Sequence, residues 1–209
     1  MSAITVTERR GRLPVIKTAR LVLRDIGVDD ITPEYVAWLN DPQVTRYLEI
    51  KWERQTKKKV IDYVRAKLKD TTNTKHFGVY DQGGTRLVGT VTLPNIDRHH
   101  FFADVSFVIG HPQARGKGYA TEAVQAVVCY VFQYCGLQKI GAGYYDGHRA
   151  SARVLEKIGF KVEGRLEKKL VNEHNQRVDH ILVGLLAENY FQNGLKNGVV
   201  KDAVALRVR

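Results

Sequence analysis

The sequence contains no long apolar run and very little cysteine. No stretch approaches the roughly 18 consecutive apolar residues of a membrane-spanning helix, and the first residues, MSAITVTERRGRLPVI, lack the apolar core of a secretion signal. The two cysteines, Cys129 and Cys135, lie in one predicted helix, which favours two buried thiols over a disulfide framework or a metal site. These absences predict a cytoplasmic protein with no metal ion and no membrane partner.

The sequence also contains fewer acidic residues than basic residues. The 209 residues include 33 Lys and Arg but 22 Asp and Glu, a formal net charge of +11. Such an excess favours anionic partners, for example nucleic acid or a phosphorylated small molecule. The cations are spread along the chain, however, and a solvated basic surface explains them equally well. Charge alone does not identify the partner.

Apolar residues recur with the periods of short strands and of helices. Strands are predicted at residues 18–26, 76–81, 86–94, 103–110, 139–145, 160–171 and 178–186. Helices are predicted at residues 31–40, 55–69, 119–134 and 151–158, the first of them capped by Asp29 and Asp30.

The order of these elements defines the fold class. The central strands form an antiparallel meander, while strand–helix–strand around helix 119–134 implies one parallel pair. We therefore expect an α+β fold with a mixed, mostly antiparallel central sheet, a parallel strand pair and flanking helices. The predicted domain spans residues 18–190, between an N-terminal extension (1–17) and a C-terminal tail (191–209).

The segment HPQARGKGYATEAV, residues 111–124, places two glycines and two cations directly before the long helix. The first turn of a helix has unpaired N–H groups and a positive dipole end, which suit a phosphate. A nucleotide P-loop is excluded, because five residues separate Gly110 from Gly116 and no Ser or Thr follows the Gly-Lys pair. A dinucleotide fingerprint is excluded because GKGYAT lacks the third glycine.

The segment QARGKGYA (113–120) resembles the Q/R-x-x-G-x-G/A motif of the GNAT superfamily, the acetyl-CoA-dependent N-acetyltransferases. The resemblance extends over roughly residues 18–190. WLNDPQVTRYLE (38–49), EKIGF (156–160) and the EG that follows are similar to a subgroup that acetylates ribosomal-protein N-termini, spermidine or amino sugars. This resemblance implies a GNAT-like acyl-CoA N-acyltransferase fold and acetyl-CoA as cosubstrate.

The resemblance also implies how coenzyme A is held. Backbone N–H groups of the loop and the helix N-terminus would bind the pyrophosphate, where a side chain at Gly116 or Gly118 would obstruct. The strand before the loop would stabilise the oxyanion through its backbone, and the pantetheine arm would lie between this strand and strand 139–145. The expected cofactor-binding residues are Phe107, Val108, Ile109, Gln113, Ala114, Arg115, Gly116, Lys117, Gly118, Tyr119, Ala120, His148 and Ser151.

The catalytic side chains depart from the family pattern. Leu155 stands where many relatives carry a tyrosine that acts as general acid. Asp104 is the expected general base. His148 replaces the usual asparagine, and it either shuttles a proton or only substitutes as a polar contact to the pantetheine arm. Ser151 either hydrogen-bonds the sulfur or caps the short helix.

These residues predict an N-acetyltransferase that acts on a primary amine. At pH 7 an α-amine costs about 1.0–1.4 kcal/mol to neutralise and a lysine-like amine about 4.6 kcal/mol, so a site without the tyrosine favours an amine of low pKa. The expected acceptor is a nucleotide-linked amino sugar, because the WLNDP segment resembles that branch and the lysine-rich stretch 51–69 suits a diphosphate. The N-terminus of a protein, such as a ribosomal protein, is the alternative, and polyamines fit worst. A non-catalytic RNA- or ribosome-binding protein on the same scaffold is the alternative of another class, and a homodimer stays open.

Overall fold

The structure, a computed structural model, describes residues 4–70, 72–81 and 83–196. The strands within them are β1 (Thr5–Thr7), β2 (Val15–Lys17), β3 (Leu21–Asp25), β4 (Lys75–Asp81), β5 (Leu87–Leu93), β6 (Phe102–Asp104), β7 (Ser106–Ile109), β8 (Lys139–Tyr145), β9 (Lys161–Val171) and β10 (Arg177–Leu186). The α-helices are α1 (Pro33–Trp38), α2 (Pro42–Thr45), α3 (Lys57–Lys69), α4 (Tyr119–Tyr134), α5 (Arg149–Ile158) and α6 (Ala187–Lys196).

The strands form two sheets. One has the order β1-β2-β3-β4-β5-β7, and the other has the order β6-β8-β10-β9. Strands β6 and β8 pair in parallel, whereas the other strand pairs are antiparallel. The predicted fold class, mixed and mostly antiparallel with one parallel pair, is confirmed.

The strand predicted at 103–110 is divided between the two sheets. Its first part, β6, pairs with β8, and the N–H of Val105 still donates to Gly141 O at 2.8 Å. Its second part, β7, pairs with β5 and ends the other sheet, so β7 is an edge strand. The chain thus leaves one sheet for the other at Val105, and a cleft opens between β7 and β8.

Helix α4 forms the centre of the main core. Nine of its 16 residues are buried, and they pack against strands of both sheets together with α5 and α6. A second core joins α1 and α3 to the six-stranded sheet through Tyr35, Trp38, Val64 and Tyr80. Because the buried part of α4 begins at Ala123, its first turn lies near the surface, where a ligand has access.

The described part of the segment 1–17 packs into the domain. Strands β1 and β2 extend the six-stranded sheet, and Leu13 and Ile16 are buried. The described part of the N-terminal extension predicted at residues 1–17 thus contributes two strands to this sheet, because Ile16 and Lys17 of β2 pair with Leu23 and Val22 of β3. At the other end α6 continues past the predicted boundary at residue 190, and most of the predicted tail, 197–209, lies outside the described residues.

The cap of α1 and the state of the two cysteines were both predicted from the sequence. Asp29 and Asp30 lie in a 3₁₀ turn and do not cap α1, whose N-cap is Thr32 with its Oγ1 accepting from Tyr35 N at 3.1 Å. Cys129 and Cys135 are free thiols, the first buried and the second half-buried. In the part of the chain that the structure describes, no helix is long and apolar enough to cross a membrane.

Candidate active site

The glycine-rich loop meets α4 in a conformation that requires glycine. Gly116 and Gly118 have φ values of +75° and +79°, in the left-handed region that disfavours other residues. Crowding does not explain them: a Cβ at Gly116 would meet nothing within 4 Å, and one at Gly118 would lie 3.6 Å from Arg20 Nη2. Gly118 caps α4 without a side-chain hydrogen bond, so the first N–H groups of α4 have no side-chain cap and face outward for a ligand.

The two cations of the loop have different surroundings. Arg115 ion-pairs with Asp41 at 3.0 Å and donates to Gly110 O at 2.7 Å, so its charge is already partnered. The side chain of Lys117 is exposed. Arg115 therefore ties the loop to the N-cap of α2, and Lys117 is the cation of this loop that a phosphate can attract.

A third cation, Arg20, lies beside the loop and was missed in the sequence. Its Nη1 donates to Lys117 O at 2.8 Å, and its Nη2 lies 2.6 Å from a carboxylate oxygen of Glu122. Its guanidinium also lies over the ring of Tyr119, 4.8 Å from the centroid. About a hundred residues separate Arg20 from its partners, and no local pattern signals the contact.

Other expected cofactor residues lie close by in varied settings. Ala114 is buried and packs in the core, whereas Gln113 is exposed and accepts from Arg86 Nη1 at 3.4 Å. Tyr119 and Ala120 are half-buried in the first turn of α4. The loop thus exposes its two glycines together with the side chains of Gln113 and Lys117.

A cavity of about 650 Å³ lies at the cleft between the sheets. Phe107 and Val108 of β7 line one wall, and residues 142–145 of β8 line the other. Tyr35, Tyr47 and Glu49 contribute from the α1–α3 side. Among the predicted site residues, His148 and Ser151 also line this cavity, whereas Asp104 and Ile109 do not.

A hydrogen-bonded cluster of three side chains lies at one end of the cavity. The Tyr145 hydroxyl donates to Glu49 Oε1 at 2.5 Å and accepts from Lys51 Nζ at 2.7 Å. Burial, reinforced by Glu49, raises the pKa of Tyr145, and burial lowers the pKa of Lys51. The cluster therefore holds a neutral phenol beside an exposed carboxylate, which can attract an ammonium group.

His148 and Ser151 stand at the start of α5. The His148 ring stacks on Tyr47, with centroids 4.1 Å apart and an interplanar angle of 16°. Burial, with a contribution from Arg46, lowers the pKa of His148 to about 4, so this imidazole is neutral at pH 7. Ser151 is 8% exposed and lies inside the helix, whose N-cap is His148, so the capping role for Ser151 is wrong.

Similarity to known protein families and proteins identifies the class of reaction at this site. Residues 20–161 match the model of the acetyltransferase (GNAT) domain. The chain belongs to the GNAT acetyltransferase family. It is thus an acyltransferase, in agreement with the prediction from its loop motif and against a non-catalytic scaffold.

Named GNAT relatives agree with this assignment. The uncharacterized N-acetyltransferase YoaA of Bacillus subtilis is 30% identical over 157 residues, which cover 74% of this chain and 87% of the relative. The ribosomal protein uS5-alanine N-acetyltransferase of Escherichia coli is 28% identical over 116 residues, 55% of this chain and 59% of the relative. The crystal structure of a GNAT-family acetyltransferase from Bacillus anthracis shares 28% identity at a TM-score of 0.72, covering 83% of this chain and 99% of that one.

Asp104, the expected general base, is not among the residues that line the cavity. Its Oδ2 accepts from Asn95 Nδ2 at 2.9 Å, and a Cβ on Gly141 would be 2.7 Å from its Oδ1. A general base must reach the proton that it removes, directly or through one water. The role of Asp104 as the base therefore stays a prediction.

Two further histidines line the cavity. His76 Nδ1 is 2.7 Å from Thr92 Oγ1, and its Nε2 has no hydrogen-bond partner among the described residues. Burial, reinforced by Lys67, lowers the pKa of His76 to about 4. The buried Nδ1 of His180 is likewise without a partner in the described part of the chain. Neither residue stood out in the sequence.

The arrangement suits acyl transfer. Because β7 is an edge strand, its backbone N–H groups on the side of the cleft can donate to the oxyanion of a tetrahedral intermediate. Across the described residues, no cluster of three His, Cys, Asp or Glu side chains could hold a metal ion.

Proposed function

We propose that this GNAT enzyme uses acetyl-CoA to acetylate the α-amine at the N-terminus of a polypeptide. The observation that carries the proposal is the charge of the cavity. Its lining residues include one acidic residue, Glu49, and one Lys or Arg, Lys169, while Lys51 donates to Tyr145 from just outside the lining. A carboxylate attracts an amine, whereas a single lysine gives little support for a diphosphate.

The lysine-rich helix does not change this balance. The stretch 51–69 was expected to suit a nucleotide diphosphate, but three of its lysines, Lys57, Lys58 and Lys59, are exposed on α3 and do not line the cavity. Lys58 and Lys59 ion-pair with Asp62 and Glu53, respectively. These three lysines therefore give little support to a diphosphate in the main cavity.

The chemistry of the amine supports an α-amine over a lysine. An α-amine has a pKa of about 7.7–8.0, so a useful fraction is neutral at pH 7. Leu155, at the position of the family's usual tyrosine, is 1% exposed and supplies no proton. The ribosomal protein uS5-alanine N-acetyltransferase of E. coli, by its name, acetylates an alanine of a ribosomal protein, and this relative supports the same acceptor class here.

The residues of the site take the following roles in the proposal. The turn at Gly116 and Gly118 and the first N–H groups of α4 bind the pyrophosphate of acetyl-CoA. The β7 backbone stabilises the oxyanion, and Ser151 and His148 contact the pantetheine arm near the thioester. Glu49 attracts the incoming ammonium group. The cosubstrate itself supplies the activated acetyl group.

A nucleotide-linked amino sugar remains as a second candidate because of a neighbouring groove. This groove, of about 600 Å³, shares Leu39 and Ile50 with the main cavity and is also lined by Arg46, Trp52 and Arg54. Trp52 is 53% exposed, so a nucleobase can stack on its indole. Arginines suit phosphate oxygens, and this groove thus offers recognition that the main cavity lacks.

A thiol-release assay with acetyl-CoA separates the two acceptors. We expect turnover with peptides that have a free N-terminus and none with the same peptides after N-terminal blocking, even when they contain a lysine. Turnover of UDP- or dTDP-linked amino sugars without turnover of any peptide would overturn the proposal in favour of the second candidate.

Variants of the groove provide a matched check. Arg46→Ala and Arg54→Ala should leave the KM of a peptide unchanged but raise that of a nucleotide sugar. Arg65→Ala, an exposed arginine on α3, serves as the control because it removes one charge without touching either cavity.

A further inference from the structure

His180 lies on the cavity side of β10. Its imidazole occupies space beside β8 that is free only because residue 143 is glycine. The register pairs Leu182 with Gly143 and His180 with Tyr145. A Cβ on Gly143 would overlap Nε2 of His180, so the Nε2 end of the imidazole ring lies against Gly143 in the space that a side chain there would need. Both residues line the cavity, so Nε2 lies at the β8 wall of the cavity.

The cleft is the position where the amine and the thioester must meet. His180, Gly143 and Tyr145 line the same cavity as Phe107 and Val108 of the edge strand β7. Cross-strand neighbours on one face of a sheet have Cβ atoms about 4.5–5.5 Å apart, so His180 and Tyr145, which Glu49 holds, are neighbours on this wall of the cavity. Glu49 is also close enough to affect the pKa of His180. An ammonium attracted by Glu49 therefore arrives next to His180.

We propose that His180 is the general base of this enzyme and removes a proton from the acceptor ammonium through Nε2. The inference rests on the proposed transfer to an amine, but it does not depend on which amine is used. His180 Nδ1 is buried and has no partner among the described residues. Nε2 is therefore the nitrogen on the cavity side.

The protonation state of His180 fits this role. Burial lowers its pKa, Lys169 of β9 acts in the same direction, and Glu49 opposes them. Tyr145 of β8, whose pKa is raised, is the other titratable group beside it and stays neutral. The imidazole is therefore unprotonated at pH 7 and ready to accept a proton.

The other candidates are less suitable as a base. His148 has a pKa of about 4, so it would accept a proton from an ammonium only at a large energetic cost. The Glu49 carboxylate already accepts the phenol hydrogen, and it is exposed. Asp104 lies outside the cavity. His180 has the better match of position and basicity.

The proton balance of the step is complete. His180 Nε2 takes one proton from the ammonium and later releases it to water, which leaves a neutral amine. The amine nitrogen forms a bond to the thioester carbonyl carbon, and the C–S bond breaks. The second amine proton goes to the CoA thiolate, and the third hydrogen stays on the amide product.

The test compares the pH profile of kcat/KM in the wild type and four variants, with the acceptor that gives turnover. His180→Gln should lower kcat/KM by about 10²- to 10⁴-fold near pH 7. The loss should shrink above about pH 9, where an α-amine is already neutral. Gly143→Ala should cause a similar loss because its methyl group displaces the imidazole ring, and the double variant should lose no more than either single variant. His174→Gln, whose side chain is 73% exposed, is the control and should match the wild type.

The outcomes distinguish this inference from the proposed function. Acetyl-CoA affinity by calorimetry and the melting temperature should be retained in His180→Gln. Added imidazole should restore part of the activity of His180→Ala. A wild-type profile in His180→Gln, or an equal loss at every pH, would overturn the role of His180 while the acceptor assignment stands. Turnover of nucleotide sugars alone would overturn the polypeptide acceptor, and the same profiles would then decide on His180. Absence of turnover with every amine would overturn both.

Discussion

The variant Gly118→Val is expected to change two measurable quantities, the stability of the domain and its affinity for acetyl-CoA. Gly118 has a φ of +79°, where a residue with a side chain costs about 1–2 kcal/mol. The nearest atom to an added Cβ, Arg20 Nη2, is 3.6 Å away, so no steric cost adds to this strain. For a domain of this size about 1 kcal/mol corresponds to roughly 2–4 °C, and we expect the melting temperature to fall by about 2–8 °C.

The effect on acetyl-CoA affinity should exceed this strain. A side chain at Gly118 lies where the backbone meets the pyrophosphate, and a lost hydrogen bond to a charged group costs about 1.5–3 kcal/mol. Since about 1.4 kcal/mol is a factor of ten, the Kd for acetyl-CoA by calorimetry should rise at least about tenfold.

Gly136→Val is the matched control for Gly118→Val. Gly136 has a φ of +69°, a Cβ there would meet nothing within 4 Å, and it follows the opposite end of α4. The control should lower the melting temperature to a similar extent without changing the Kd. If both variants retain wild-type affinity, the loop does not contact the pyrophosphate and the assignment of the cofactor site is wrong.

Three further perturbations test neighbouring parts of the site. Arg20→Ala should lower stability by no more than about 1 kcal/mol, because its ion pair with Glu122 is partly exposed, but should weaken acetyl-CoA binding measurably by calorimetry. Tyr145→Phe should cost about 1–3 kcal/mol in denaturant unfolding, because Lys51 loses its buried acceptor. His148 has a folded pKa of about 4 and an unfolded pKa of about 6.5, so the unfolded chain binds more protons between these values. Stability should therefore fall as pH drops from 6.5 to 4, and His148→Asn should flatten that dependence; an unchanged slope would contradict the buried neutral imidazole.

The sequence predicts elements whose signal is local. The predicted helix 119–134 and strand 139–145 agree with α4 and β8 at both ends. In α4 the apolar period of 3.6 and the preceding glycine turn both depend on neighbouring residues alone. The cofactor loop could be predicted for the same reason, since its backbone conformation is set within a few residues of Gly118.

The acceptor side could not be predicted because its contacts are distant in sequence. Tyr145 and Glu49 are 96 residues apart, and the face occupied by His180 is set by a glycine on another strand. The absence of Asp104 from the cavity lining could not be predicted for a related reason: the alternation of β6 and β7 is continuous in sequence, but the two halves pair with different partners. The apolar periodicity of a strand does not indicate which neighbouring strand it pairs with.

The net charge of +11 arises mainly from residues outside the cavity that would hold the acceptor. Lys57, Lys58 and Lys59 of α3 face solvent, while the cavity that would hold the amine contains one lysine and one glutamate among its lining residues. Surface charge raises the encounter rate with anionic partners, a group that includes the phosphates of acetyl-CoA, and it is screened beyond about 8 Å at physiological salt. In the proposal, Glu49, Tyr145 and His180 then select the acceptor through short-range contacts. A composition that is basic overall is therefore compatible with a cationic acceptor, because the ammonium group meets a carboxylate and neutral imidazoles once it has entered the cavity.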